Sequence, residues 1–99
     1  MAIGIKLFKV QGRSMMPEYF EDDIVVCMRL PFQALRKDQN IVIKHPYYQT
    51  IVKKIIEVLP SGDVKVKGTD PQSTPTEAIG VVHRDWVLGK VILHFPAHY

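Results

Sequence analysis

The sequence predicts a mainly β fold, a small coiled antiparallel sheet or partly open barrel with at most one or two short helical turns. Three observations carry this prediction. Several short segments are rich in β-branched residues or alternate between apolar and polar side chains. Clusters of Pro, Gly, Asn, Asp and Ser separate these segments. No helical periodicity continues for more than one or two turns, so helices contribute little.

The elements follow in chain order. Lys6–Gln11 alternates with a period of two residues, which is typical of a half-buried strand. Met16–Phe20 predicts a turn or a single helical turn, and in a purely structural interpretation Ser14 caps it. Composition and alternation predict five further strands: Asp23–Leu30, Asn40–Lys44, Gln49–Leu59, Val64–Lys67 and Trp86–His94.

The connections are also specified in part. Pro60–Asp63 supplies turn residues between two β-type runs and therefore predicts a hairpin. Thr69–Glu77 is polar, carries two prolines and predicts an ordered surface loop. Pro31–Lys37 is the best candidate for a short helix.

Composition excludes several classes of protein. The 99 residues predict one domain over residues 1–99, with 46% hydrophobic and 23% charged residues as in ordinary globular proteins. The net charge is +3, but Lys and Arg are scattered, so we expect no nucleic-acid partner. The single Cys27 lies in an apolar run and predicts a buried free thiol.

We expect a cytoplasmic protein without a membrane span. No stretch approaches 18 apolar residues, and Met1–Lys6 becomes polar too quickly for a signal peptide. A lone cysteine points to a reducing compartment. The four histidines form no metal-binding pattern, because Pro96 separates His94 from His98, so we expect neither metal nor cofactor.

The strongest functional signal is the pairing of Gly12–Pro17 with the lysines Lys53 and Lys54. Ser14 follows a glycine by two residues and precedes Met-Met-Pro. Together with a downstream lysine in an apolar run, it suggests a nucleophilic serine whose proton is taken by lysine, not by histidine.

The two lysines lie within the apolar run from Ile51 to Ile56. Strand alternation places Lys53 on the face of Ile51 and Ile55, and Lys54 on the opposite face. A lysine facing the core loses hydration, which lowers its pKa and lets the neutral amine accept a proton. The alternative is an edge strand whose lysines extend to water and oppose aggregation. Alternation alone does not choose between the two lysines.

Six segments in order resemble the serine–lysine peptidases that include signal peptidase I, the self-cleaving LexA and UmuD proteins and the nickel superoxide dismutase maturation peptidases. The similarity runs from about Lys9 to Ile92. Val10–Pro17 is similar to the nucleophile segment and Thr50–Ile55 to the lysine segment. The remaining similar segments are Glu21–Val26, Leu35–Val42, Gly68–Val82 and Gly89–Val91.

The resemblance implies a role for each matched residue. Ser14 is the nucleophile, its backbone N–H donates to the oxyanion, and Lys53, the first basic residue of its segment, is the general base. Ser73 aligns with a hydroxyl that orients the lysine. An extended peptide substrate is expected to add as a strand between two segments, whose residues are Lys9, Val10, Gln11 and Gly12 on one side and Thr50, Ile51 and Val52 on the other.

The chain departs from this family pattern at two positions. Gly12 stands where signal peptidases often place a second hydroxyl, two residues before the nucleophile, and LexA-like members also lack that hydroxyl. Pro75–Glu77 replaces an Asp-Ser-Arg segment and removes an ion pair that this segment is expected to form.

The sequence therefore predicts a serine endopeptidase with a Ser14–Lys53 dyad. LexA-type proteins cleave themselves at Ala-Gly or Cys-Gly, and neither dipeptide occurs in this sequence, so we expect the substrate to be another protein, as in leader removal or maturation. The alternative is a catalytically weak or inactive LexA-like module for dimerisation or peptide binding. The apolar segment Val91–Phe95 predicts a homodimer through the C-terminal strand, as in LexA-type relatives; a buried strand within a monomer explains it nearly as well.

Overall fold

The computed structural model describes residues 4–12, 14–29, 35–70, 72 and 75–97. Within them, six antiparallel strands form one unclosed sheet in the order β1-β2-β6-β3-β4-β5, which confirms the predicted mainly β class. In chain order the elements are β1 (Gly4–Lys9), β2 (Ile24–Arg29), β3 (Asn40–His45), β4 (Gln49–Val58), β5 (Val64–Lys67), α1 (Thr76–Ile79), a 3₁₀ turn (Arg84–Trp86) and β6 (Val87–Phe95).

The predicted strands all exist, and the largest shift in their bounds is at β1. This strand was predicted over Lys6–Gln11 but ends at Lys9. Val10 leaves the ladder because its N–H donates to the Asp23 carbonyl at 2.7 Å and its carbonyl accepts from the Asp22 N–H at 2.8 Å. Val10 and Gln11, which continue the alternating pattern in the sequence, therefore belong to the turn that follows β1.

The connections differ in one place from the sequence prediction. The β4–β5 hairpin around Pro60–Asp63 is confirmed, with Val58 opposite Val64. The loop predicted over Thr69–Glu77 instead leads into the single turn of α1, which begins at Thr76 and buries Ile79. Of the helix candidate Pro31–Lys37, residues 31–34 lie outside the described residues, and Leu35, Arg36 and Lys37 are not helical.

Hydrophobic side chains form two clusters, one on each face of the central strands. Ile41 and Ile43 of β3 belong to the first cluster, with Ile55 of β4. Val42 of β3 and Val52 of β4 belong to the second, which also contains residues of the Ser14 turn. Because β3 and β4 are buried on both faces, they carry near-continuous apolar runs.

Three register shifts bend the sheet. One lies between Val26 and Cys27, opposite β6; the others interrupt the β3–β6 and β4–β5 ladders. Such bulges increase strand twist and coil a small sheet. At the first bulge, Gly89 of β6 lies so close to β2 that a Cβ atom would stand 3.0 Å from the Cys27 sulfur and from the Met28 carbonyl group.

We predict that Gly89→Ala lowers the free energy of unfolding by about 1–3 kcal/mol, because the methyl group overpacks against β2 backbone that is fixed by its ladder. Urea denaturation at neutral pH measures this. Gly4→Ala is the matched strand control, since a Cβ there meets only the Arg29 Cβ, at 3.9 Å. Equal stabilities of the two variants would contradict the close-approach argument.

Candidate active site

Ser14 lies on a turn whose two ends are fastened to each other. The reciprocal backbone bonds of Val10 with Asp22 and Asp23 close the loop that separates β1 from β2. Inside it, the Tyr19 N–H donates to the Met15 carbonyl at 2.8 Å, forming one helical turn immediately after Ser14. Met15 and Tyr19 are buried in the second cluster, so apolar packing holds this turn against the sheet.

The Asp23 carboxylate anchors the same turn. It is 1% exposed. It accepts hydrogen bonds from the Phe20 N–H at 2.9 Å, the Ala97 N–H at 2.8 Å and His94 Nε2 at 2.7 Å. Burial alone would raise the pKa of Asp23, but the backbone bonds from Ala97 and Phe20 and the contact with His94 lower that pKa to about 2. A stabilised anion therefore joins the Ser14 turn to the C-terminal segment.

A second set of bonds reaches Ser14 from the segment after β5. The Asp70 N–H donates to the Ser14 carbonyl at 3.0 Å, and Thr69 Oγ1 donates to the Met16 carbonyl at 2.8 Å. Gly68–Asp70 was matched to the family from sequence, and here it fastens the backbone around the serine. Among the described residues, no amide of the turn donates a hydrogen bond to Ser14 Oγ, so the helix-cap interpretation has no support in this part of the chain.

Lys53 is the buried lysine of the pair. It is 4% exposed and lies opposite Ile41, on the face of Ile51 and Ile55. Desolvation by burial lowers the pKa of Lys53. Because Lys53 is buried, the interpretation of it as a lysine that extends from an edge strand to water is wrong.

Lys54 lies on the opposite face, is 23% exposed, and forms an ion pair with Glu18 at 3.0 Å. Consecutive residues of one strand therefore place one amine in the apolar interior and the other against a carboxylate of the Ser14 turn. Hydrogen bonds among the described residues include none from Ser14 Oγ to Lys53 Nζ. The dyad itself stays a prediction.

A cleft of about 480 Å³ separates β1 from the first half of β4, and Ser14 lines it. Six of the predicted substrate-binding residues line this cleft: Lys9, Val10, Gln11, Thr50, Ile51 and Val52. Gly12 and the predicted general base Lys53 are not among the lining residues. Sequence reasoning missed the cleft residues Leu7, Phe8, Met15, Tyr48 and Gln49.

Strand pairing explains why a cleft forms there. β3 pairs with Gln49–Lys54 of β4, but β5 pairs only from Lys54 onward. On the β5 side, Gln49–Lys53 therefore lacks a strand partner in the described ladders. β1 is an edge strand that pairs with β2 alone. Strand edges present backbone donors and acceptors to an extended peptide.

Ser73, the predicted orienting hydroxyl, lies outside the described residues. At the turn between β3 and β4, Tyr48 packs against the first cluster, whereas Tyr47 is 79% exposed.

The comparison with protein families agrees with these observations: residues 4–92 match the model described as Peptidase S24-like. The chain belongs to the Peptidase S24-like family. This match confirms the resemblance to LexA and signal peptidase I-type peptidases drawn from the sequence.

No curated protein and no solved structure matches the chain. Peptidase S24-like proteins include non-catalytic members, so membership supports a peptidase-type fold and leaves activity to experiment. None of the helices in the described ranges is long and apolar enough to cross a membrane.

We predict that Asp23→Asn destabilises the protein by about 1–3 kcal/mol at neutral pH, because the amide cannot accept all three bonds that the carboxylate accepts. The native pKa is lowered, so the stability that the carboxylate provides is complete above about pH 4 and is lost as the pH falls towards 2. The free energy of unfolding of the Asp23→Asn variant should therefore fall less than that of the wild type as the pH is lowered over this interval.

Urea denaturation at pH 7, 4 and 2.5 measures both effects. Asp85→Asn, at an exposed position, is the control and should leave the pH dependence unchanged. An Asp23→Asn protein with the wild-type stability at pH 7 would show that the anchor is dispensable.

Proposed function

We propose that this Peptidase S24-like protein is a serine endopeptidase that cleaves a peptide bond in another protein, with Ser14 as nucleophile and Lys53 as general base. The observation that carries the proposal is the burial of Lys53, whose pKa desolvation lowers, in the strand that forms one wall of the cleft containing Ser14. A neutral amine at this position has the basicity needed to take the serine proton.

The proposed reaction uses the chain's own groups throughout. Ser14 Oγ bonds to the scissile carbonyl carbon as its proton passes to Lys53 Nζ. The ammonium then gives this proton to the leaving amine as the C–N bond breaks, leaving an ester on Ser14. Water attacks this ester as Lys53 accepts the water proton; that proton then passes to Ser14 Oγ as the bond from Oγ to the acyl carbon breaks and the carboxylic acid product leaves. The Ser14 N–H donates to the oxyanion in both halves of the reaction.

The cleft supports a protein substrate bound as an extended strand. Lys9–Gln11 lines one wall and Thr50–Val52 the other, and both segments carry backbone groups for pairing with an extended chain. Of the lining residues only Lys9 carries a formal charge. The absence of Ala-Gly and Cys-Gly from the sequence supports action on another chain over self-cleavage, which fits leader removal or maturation processing.

We predict that a β-lactam-type acylating probe labels Ser14 at a rate that rises with pH. Because the neutral amine is the base, labelling should increase through an apparent pKa below the ordinary lysine value of about 10.4. Mass spectrometry of the intact protein and its peptides measures the rate and the modified residue across the pH range.

Ser14→Ala and Lys53→Met should both abolish this labelling. Lys53→Met should also stabilise the fold by on the order of 1 kcal/mol, because it removes an amine from an apolar site. Lys67→Met, at an exposed position of β5, is the matched control and should retain labelling. Undiminished Ser14 labelling in the Lys53→Met protein would refute the dyad.

A second function, dimerisation, has its own support in an apolar sheet face. Strand register aligns Leu7, Val26 and Leu93 across β1, β2 and β6, and places Phe95 beside Ile24. Leu7, Leu93 and Phe95 are each more than half exposed in the single chain. We propose that a second copy of the chain covers this face through the C-terminal strand. If the chain is not a peptidase, this contact makes it a dimerisation module.

We expect light scattering after size-exclusion chromatography to give the mass of a dimer for the wild type. Leu93→Glu should shift it to the monomer, because a carboxylate cannot be buried unpaired at an apolar interface. Val81→Glu, which changes a partly exposed apolar residue away from this face, should leave the dimer intact. A monomeric wild type at high micromolar concentration would rule the dimer out.

A further inference from the structure

A polar cluster outside the cleft joins the Ser14 turn directly to the lysine strand. Glu18 Oε2 lies 3.0 Å from Lys54 Nζ, and Glu18 Oε1 accepts a hydrogen bond from Asn40 Nδ2 at 2.7 Å. Asn40 Nδ2 also donates to Tyr19 Oη at 2.8 Å. Glu18 and Tyr19 belong to the turn, whereas Asn40 and Lys54 are directly opposed residues of β3 and β4.

The geometry of this cluster is fixed more closely than that of an ordinary surface ion pair. The side chains of Lys54 and Glu18 are only 23% and 34% exposed. Asn40 Oδ1 is buried without a hydrogen-bond partner among the described residues, so the two bonds from Nδ2 orient the amide. Partial burial would raise the pKa of Glu18, but the bonds from Asn40 and Lys54 lower it overall, which keeps this carboxylate ionised at neutral pH.

We propose that the Glu18–Lys54 pair, held by Asn40, is the positioning device that sets Ser14 relative to Lys53. Lys54 is the next residue after Lys53, and Glu18 lies in the helical turn that directly follows Ser14. This one ion pair therefore links the strand that carries Lys53 to the turn that carries Ser14. Small displacements of reacting groups cost large factors in rate. The inference rests on the proposed function, since it assigns these residues a role in the dyad's geometry. Neither residue touches the substrate cleft.

Two readouts test the proposal on the full chain. Hydrogen exchange of the Tyr19 amide, which bonds to the Met15 carbonyl, reports the anchoring of the turn. The acylation rate of Ser14 at saturating β-lactam-type probe reports the geometry of the dyad. Glu18→Lys should speed this amide exchange and slow acylation by about tenfold, with little change in the half-saturating probe concentration.

The charge swap distinguishes positioning from a general loss of structure. Glu18→Lys combined with Lys54→Glu restores an attractive pair and should recover acylation to within about threefold of the wild type. Glu18→Gln, which keeps the acceptor for Asn40 but removes the charge, should give an intermediate rate and serves if Glu18→Lys folds poorly. Glu57→Gln, which removes the exposed partner of Lys65 farther along β4, is the matched control and should behave as wild type.

The outcomes separate this inference from the proposed function. Unchanged Tyr19 exchange and unchanged acylation in Glu18→Lys would overturn the positioning role while leaving the peptidase intact. Failure of the swap to restore either readout would also overturn it. If wild-type Ser14 is not acylated at all, the proposed function fails, and the positioning role fails with it even if the exchange data show an anchored turn.

Discussion

The fold depends most on one buried anion, the Asp23 carboxylate. Burying a charge is costly unless strong hydrogen bonds replace its hydration, and here two backbone N–H groups and His94 do so. These bonds connect the Ser14 turn, the start of β2 and the segment that follows β6. Sheet pairing alone leaves that turn as a loop between two strands. The carboxylate makes it a fixed part of the β1-β2-β6 half of the protein.

Lys53 presents the opposite electrostatic situation. Hydrogen-bond donors surround Asp23 and stabilise its charged form, whereas burial removes the hydration that would stabilise the charged form of Lys53 and so lowers its pKa. Folding therefore lowers both pKa values. At neutral pH the lowered pKa of Asp23 stabilises the folded state. The lowered pKa of Lys53 destabilises the folded state at neutral pH, because the unfolded lysine holds its proton more tightly than the folded lysine does. A residue that weakens the core in this way is typical of a site shaped for chemistry.

Much of this architecture could be predicted from local patterns. Val64–Lys67 forms a strand with the predicted bounds, and the hairpin before it follows from Pro60–Asp63. Alternation could not choose between Lys53 and Lys54, because both faces of β4 pack against hydrophobic clusters and neither is a clear solvent face. The cleft residues Tyr48 and Gln49 were missed for a different reason. Their exposure to a substrate depends on β5 ending its pairing at Lys54, which is a property of tertiary pairing.

The two adjacent lysines support an enzyme over a binding module when they are considered together. A sheet that only dimerises or binds a peptide edge would be more stable with apolar residues at both positions, because β4 is buried on both faces. The chain instead places a desolvated amine on one face and, on the other, an amine paired with Glu18 of the serine turn. On the proposed function these are complementary roles. One lysine supplies the base, and its neighbour fixes the strand that carries it against the turn that carries the nucleophile.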